Sequence, residues 1–222
     1  MNKVTLISLS KPSAVTECNT AEELVAYAAR VSNPGNQANH ETAPRLLRYL
    51  AKHKHWSPFE MVHITMEIQT TRDIARQILR HRSFAFQEFS QRYAIVDSKL
   101  GVRDARLQDK TNRQNSVDVA GTQLDEEWKM RQTYLNNQIE KDYEWALTQG
   151  IAKEQARAIL PEGNTMSTLY MAGSLRSWLH YCELRMANGT QAEHMEVAAL
   201  CWDIIKVHFP ALVDAINIDS ED

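Results

Sequence analysis

Between Arg80 and Tyr93 the chain reads Arg80-His81-Arg82-Ser83-Phe84-Ala85-Phe86-Gln87-Glu88-Phe89-Ser90-Gln91-Arg92-Tyr93. Three guanidinium groups offer charge-assisted forks for a phosphate. An imidazole, two hydroxyls, two amides and a carboxylate offer donors and acceptors for a heterocycle. A solvated face has no need of the four interleaved aromatic rings. The residues by themselves leave three readings open: a site for an anionic small molecule, a nucleic-acid-binding module over 76–93, or a salt-bridged helix end. In the second, Arg76, Arg80, Arg82 and Arg92 would meet phosphates while Phe84, Phe86, Phe89 or Tyr93 stack on bases. His81 is open in the same way, as a helix-end cap or as part of a site.

Charge favours an anion as the guest. The 222 residues hold 25 Lys plus Arg against 28 Asp plus Glu, a formal charge of -3. Residues 72–113 carry ten of the cations and five of the acids, so this stretch is +5 and the rest -8. A pI of about 6.2 and Glu88 within the patch weigh against nucleic acid.

The other reactive side chains are less suggestive. Cys18, Cys182 and Cys201 are widely spaced, without a C-x-x-C, and read as buried thiols rather than disulfide or zinc partners. His53 and His55 are two apart, with His63 beyond, and no Cys or carboxylate at metal-ligand spacing, so no metal is expected. His194, beside Glu193 and Glu196, reads as a solvated or capping group. Trp128, Trp145, Trp178 and Trp202 read as core.

The elements that position these groups follow from periodicity. A strand over 4–9 precedes a helix begun by the capping box Thr20-Ala-Glu-Glu23 and ended by Asn33-Pro34-Gly35. A second helix follows Thr42, with Pro44 in its first turn and Leu46, Leu47 and Leu50 inward. Residues 62–69 alternate as a half-buried strand, and 73–82 shift to a helical period with Asp73, Arg76, Gln77 and Arg80 on one side. Residues 97–121 lack periodicity and predict a long, mobile loop. A helix over 124–149 is expected to carry Leu124, Trp128, Leu135, Ile139, Tyr143 and Leu147 on one side, with Gly150 as its stop. A short helix over 153–160, a strand over 165–171, a helix over 174–186 and a last helix capped by Thr190-Gln-Ala-Glu193 complete the chain. The pattern is α+β and helix-rich with a small antiparallel or mixed sheet, and 1–222 is expected to be one domain.

The dense segment resembles the signature of the flavin-dependent thymidylate synthases, Arg-His-Arg, seven residues, then Ser-x-Arg. Here it is Arg80-His81-Arg82 and Ser90-Gln91-Arg92. The likeness extends to His55-Trp56-Ser57-Pro58-Phe59-Glu60, Ala75-Arg76-Gln77, Ala156-Arg157-Ala158-Ile159-Leu160-Pro161, Leu175-Arg176 and Glu183-Leu184-Arg185, over roughly residues 20–209. The resemblance implies an FAD-containing homotetramer, with active sites shared between subunits. It would methylate dUMP to dTMP using methylenetetrahydrofolate as carbon donor and NADPH as reductant. Nucleotide contacts would come from Gln77, Ile78, Leu79, Arg80, Glu88, Phe89, Ser90, Gln91, Arg92, Arg157 and Arg185. Flavin contacts would come from His55, Ser57, Arg80, His81, Arg82, Glu88, Ser174, Leu175, Arg176 and His180. Arg185 would be catalytic, stabilising the ionised uracil. Ser174 stands where many members carry Asn and offers an N-cap hydroxyl instead of an amide.

Helix geometry adds a check. Arg176, His180 and Glu183 share one stripe, whereas Arg185 lies about 180° away, so the two arginines are expected to serve different ligands. The longest uninterrupted apolar runs, 24–29 and 197–202, are six residues each. A membrane span needs roughly 18. With no signal-like N-terminus, the cytoplasm is the expected compartment and no membrane partner is expected.

Overall fold

Two long strands with alternating side chains carry the fold. The structure, a computed structural model, describes residues 2–96, 99–213 and 215–216. Strand β1 spans Lys3–Leu9, and β2 (His63–Thr71) buries Ile64, Met66, Ile68 and Thr70 as its alternation requires. Strand β3 is Ala85–Glu88, and a two-stranded hairpin is formed by β4 (Arg106–Gln108) and β5 (Ser116–Asp118). Strand β6 (Met166–Ser174) pairs antiparallel with β2 along its whole length, from His63 opposite Ser174 to Thr71 opposite Met166. The main sheet has the order β1-β2-β6-β3, with every pair antiparallel.

The helices are α1 (Ala21–Ala29), α2 (Ala43–Lys52), α3 (Arg72–Ile78), α4 (Gln123–Thr148), α5 (Lys153–Ala156), α6 (Leu175–Met186), α7 (Ala192–His208) and α8 (Pro210–Val213). The buried face of β2 and β6 joins α1, α2, α6 and α7 in one core that includes Phe59, Leu47, Trp178, Trp202 and Phe209. The opposite face is half-exposed, with Tyr170 donating to Glu67 across the strands at 2.9 Å. The helix-rich α+β expectation therefore holds.

Several boundaries differ, each for a local reason. The capping box at Thr20 and Glu23 forms, but the one expected at Thr190 does not. There α7 starts after Gln191, the Glu193 carboxylate accepts from Gln191 and Arg106, and the Thr190 amide donates to the Ala187 carbonyl instead. Helix α3 stops at Ile78, short of Arg82, because the chain must turn to bring Ala85 beside Ala172 as β3. The short helix is only Lys153–Ala156, followed by a 3-10 turn over Arg157–Ile159, and β6 runs on to Ser174.

The largest correction concerns α4 and the segment before it. Residues 97 and 98 of the expected loop lie outside the described residues. Within 99–121 the chain forms the β4–β5 hairpin and is tied to α4 by polar side chains. Asp125 accepts from the amides of Ala105 and Gly121, Gln132 bonds the Arg103 backbone in both directions, and Asn136 donates to the Gly101 carbonyl. Backbone groups leaving solvent need such partners, so α4 turns its polar stripe inward. The first part of its apolar stripe faces out: Leu124, Trp128 and Leu135 are exposed, as is Trp145, whereas Ile139 and Leu147 are half-buried and Tyr143 is fully buried. Trp128 and Trp145 are thus not core, whereas Trp178 and Trp202 are.

Candidate functional site

Opposed strand directions decide where the signature lies. Helix α3 leaves β2 at Thr71 and α6 leaves β6 at Ser174, so the two helices start at opposite ends of the sheet. The α6 helix is about 18 Å long and runs back towards the end where α3 begins. Residues 79–84 lie alongside it. Near its C-terminus Arg185 Nε donates to His81 Nε2 at 2.9 Å, and near its N-terminus Ser177 Oγ donates to the Ser83 carbonyl at 3.3 Å. Phe84 pins the turn, its ring 4.9 Å from that of Trp178 in a T-shaped contact and directly over Gly173. A Cβ on Gly173 would sit 2.5 Å from the Phe84 ring, so only glycine allows this approach.

Electrostatics follow from this placement. Burial and the neighbouring Arg185 guanidinium push the His81 imidazole down to about 4. It is therefore neutral and can accept from Arg185. His194 is fully buried, not solvated, with Nδ1 3.2 Å from Gln77 Oε1 and Nε2 3.2 Å from the Tyr181 hydroxyl. Burial, Arg185 and His81 push it down to about 3.

Glu88 sits among cations. Its carboxylate accepts from Ser167 and Arg76, both at 3.0 Å, and lies 3.7 Å from Arg72. Burial and the neighbouring Arg76 lower the buried Arg72 below the usual guanidinium value, with Arg157 adding to the repulsion. The 72–113 charge excess is thus partly internal.

At the other end of α6 a second group forms. Arg176 pairs with Glu60 in the 3-10 turn Ser57–Met61, and the His180 ring meets Trp56 at 5.0 Å. Burial, then Arg176, lower the His180 pKa. His55 is exposed, its ring 6.2 Å from those of Tyr49 and His53, and Ser57 is exposed nearby in sequence. Arg176 and Arg185 have different surroundings, as their helical spacing requires. Ser174 is the N-cap of α6, its hydroxyl accepting from Ser177 N.

The remaining expected residues fall into distinct settings. Arg80 and Arg82 are exposed, with no hydrogen bond or ion pair to their side chains among the described residues. Leu79 is half-buried, whereas Ile78 and Leu175 are wholly in the core and could meet a ligand only through the main chain. Leu175 N–H already donates to the Val62 carbonyl at 2.8 Å. Phe89 is exposed, its amide bonded to Thr168, and Ser90 is half-buried. Gln91 is buried, with its Nε2 lacking a partner. Arg92 lies 3.6 Å from Glu154 and over the Tyr93 ring. Phe84 and Phe86 pack against the core, which removes half of the stacking row that a nucleic-acid surface would use.

Sequence reasoning gave no role to Glu60, Arg72 and Gln191 and read His194 as solvated or capping. Glu60 stands inside a motif already singled out, but the others gave no local signal of these contacts, since only tertiary packing creates them. Cys18 is half-buried rather than buried, while Cys182 and Cys201 are fully buried. Burial raises the pKa of all three thiols. A cleft of about 980 Å³ beside the hairpin, lined by Arg106, Asn115, Leu124, Trp128 and Gln191, holds none of the signature residues.

Comparison with known proteins places this arrangement. Residues 14–211 match the model of the thymidylate synthase complementing proteins. The chain is 52% identical over 212 residues to a probable flavin-dependent thymidylate synthase of Paramecium bursaria Chlorella virus 1, covering 96% of this chain and 97% of that one. It is 46% identical over 216 residues to the flavin-dependent thymidylate synthase of Synechocystis, covering 96% and 99%. A UMP/dUMP methylase from Streptomyces cacaoi, solved with 5-Br dUMP, superposes with a TM-score of 0.81 at 27% identity, covering 97% of this chain and 94% of that one.

Proposed function

The chain belongs to the family of the thymidylate synthase complementing proteins, and from that membership we propose that it methylates dUMP to dTMP as a flavin-dependent thymidylate synthase. Methylenetetrahydrofolate is the carbon donor and NADPH the reductant. The observation that carries this reading is the pairing of a neutral His81 with Arg185 beside two cations, Arg80 and Arg82, that have no intrachain partner among the described residues. Exposed guanidinium groups left open at a surface suit the pyrophosphate of a dinucleotide and the phosphate of a nucleotide.

The residues fit FAD. Arg80, His81, Arg82 and Glu88, with Ser174, Leu175, Arg176 and His180 along α6, and His55 and Ser57 beyond, would hold it. When bound, FAD supplies the hydride. Gln77, Ile78, Leu79, Arg80, Glu88, Phe89, Ser90, Gln91, Arg92, Arg157 and Arg185 would receive dUMP.

The chain's own contribution is positioning and charge. His81 Nε2 accepts a hydrogen bond from Arg185 Nε–H and so fixes the plane of the guanidinium, leaving its two terminal amino groups for the uracil. Facing the ring, they stabilise negative charge as it develops at N3 and so raise the nucleophilicity of C5. No cysteine thiolate is used. Cys182 and Cys201 are buried, and burial keeps all three thiols protonated at neutral pH.

The active protein is a homotetramer with sites completed between subunits. Two observations support that assembly: the exposed Leu124, Trp128 and Leu135 on one side of α4, and a flavin set divided between the two ends of α6 at an open surface. Light scattering coupled to gel filtration tests the assembly. The function is tested by an anaerobic assay for dTMP from dUMP, methylenetetrahydrofolate, NADPH and FAD with the purified protein. Folded protein that takes up no flavin at saturating FAD would refute the reading.

A further inference from the structure

A line of polar groups runs from the core to the β4–β5 hairpin, and the direction of every hydrogen bond in it is determined. Arg106 donates to Glu193 Oε1 at 2.6 Å, and Gln191 Nε2 donates to Glu193 Oε2 at 2.9 Å. Gln77 Nε2 donates to Gln191 Oε1 at 2.8 Å, His194 Nδ1 lies 3.2 Å from Gln77 Oε1, and the Tyr181 hydroxyl lies 3.2 Å from His194 Nε2.

The Glu193 carboxylate sets the sense. Burial raises its pKa, but the bonds from its own backbone, Gln191 and Arg106 outweigh that and hold it below the usual value, so it is ionised and only accepts. Gln191 must then turn its amino group to Glu193 and its oxygen to Gln77. Gln77 in turn shows its amino group to Gln191 and its oxygen to His194. His194 must therefore donate from Nδ1. Being neutral, it has a single ring proton, which leaves Nε2 to accept from the buried Tyr181 hydroxyl.

We propose that His194 is a positioning residue for the nucleotide site: held as the Nδ1–H tautomer by Tyr181, it fixes the Gln77 amide with its oxygen inward and one N–H free for an oxygen of the pyrimidine nucleotide. This rests on the reading of Gln77 as a nucleotide contact. His194 itself touches no ligand. With the proton on Nε2 instead, Nδ1 would oppose Gln77 Oε1, two acceptors face to face, and the amide would lose its single orientation.

The test compares two substitutions in the FAD-loaded protein. His194→Asn keeps an N–H near the Nδ1 position, whereas His194→Leu removes it. The expected result is that His194→Leu weakens dUMP binding by calorimetry and raises KM about fivefold, with kcat and FAD content little changed, as for one lost neutral hydrogen bond. His194→Asn should restore most of that loss, and nitrogen-15 NMR of the wild-type ring should show the Nδ1–H tautomer. Should His194→Leu fail to fold, Tyr181→Phe, which removes the donor to Nε2 and keeps the imidazole, is expected to weaken dUMP in the same way. An Nε2–H tautomer, or equal losses in the Asn and Leu variants, would overturn the proposal. Wild-type protein that bound no dUMP would instead remove the functional reading, and the tautomer alone would then decide whether His194 orients Gln77.

Discussion

Arg185→Lys separates a role at the substrate from a role at the end of a helix. Arg185 is half-buried in the last turn of α6, where any cation complements the helix dipole by about 0.3–1 kcal/mol. Lysine keeps that charge, so the dipole contribution survives the substitution. The 2.9 Å bond from Nε to His81 does not survive, because lysine has no N–H at that point of the side chain. A hydrogen bond involving a charged group contributes about 1.5–3 kcal/mol, which is about tenfold to hundredfold in rate if it is needed in the transition state. Losing the planar pair of terminal donors at the uracil corresponds to losing a preorganised oxyanion donor, about 10²-fold or more. The two losses share one group and do not simply add. The expected outcome is a fall of about 10²-fold in the rate of flavin reoxidation with dUMP and methylenetetrahydrofolate bound, measured by rapid mixing. FAD content and melting temperature should stay close to wild type. A wild-type rate in the Lys variant would refute the argument and leave Arg185 as a dipole partner only.

The Cys182→Ala/Cys201→Ala double variant should retain turnover per folded protein at a stability cost of about 1 kcal/mol per site from lost packing, as read by denaturant titration and dTMP assay; loss of turnover with flavin still bound would contradict a route without a thiolate. Gly173→Ala should force the Phe84 ring away, cost about 1–3 kcal/mol and weaken FAD binding, whereas Gly35→Ala, with nothing within 4 Å, should be near silent in the same thermal melts. Arg157→Ala should weaken dUMP about tenfold or more while FAD stays bound, and unchanged affinity by calorimetry would remove Arg157 from the nucleotide site. His81 and His194 have folded pKa values of about 4 and about 3, below the ordinary value near 6.5, so the unfolded chain binds more protons between these limits. Stability should be full above pH 6.5 and fall as the pH drops from there towards 3. Urea titrations at pH 7.5, 6 and 5 should show that slope, and a His81→Asn/His194→Asn variant should flatten it between pH 6.5 and 5.

The residue pattern alone determined the frame of this protein. The alternation of Val62, Ile64, Met66 and Ile68 required a half-buried strand, because side chains two apart must share a face. The Thr20 capping box and the Ser174 N-cap were legible because caps are satisfied within a few residues of chain. The spacing of Arg80-His81-Arg82 and Ser90-Gln91-Arg92 carried the family resemblance, and the spacing of Arg176 and Arg185 already put them on opposite sides of their helix. Tertiary structure decided what depends on distant partners. A helical period shows that α4 has an apolar and a polar stripe, but the stripe that turns inward is chosen by the backbone groups of residues 99–105, which Gln132, Asn136 and Asp125 must satisfy. Glu193 beside Thr190 looks like a cap for the Thr190 amide, yet its carboxylate is taken up by Arg106 and Gln191. His194 looks solvated between two glutamates, and becomes a buried donor only because α3, α6 and α7 converge there, joining residues 117 and 13 positions apart in the chain through bonds that no local pattern encodes.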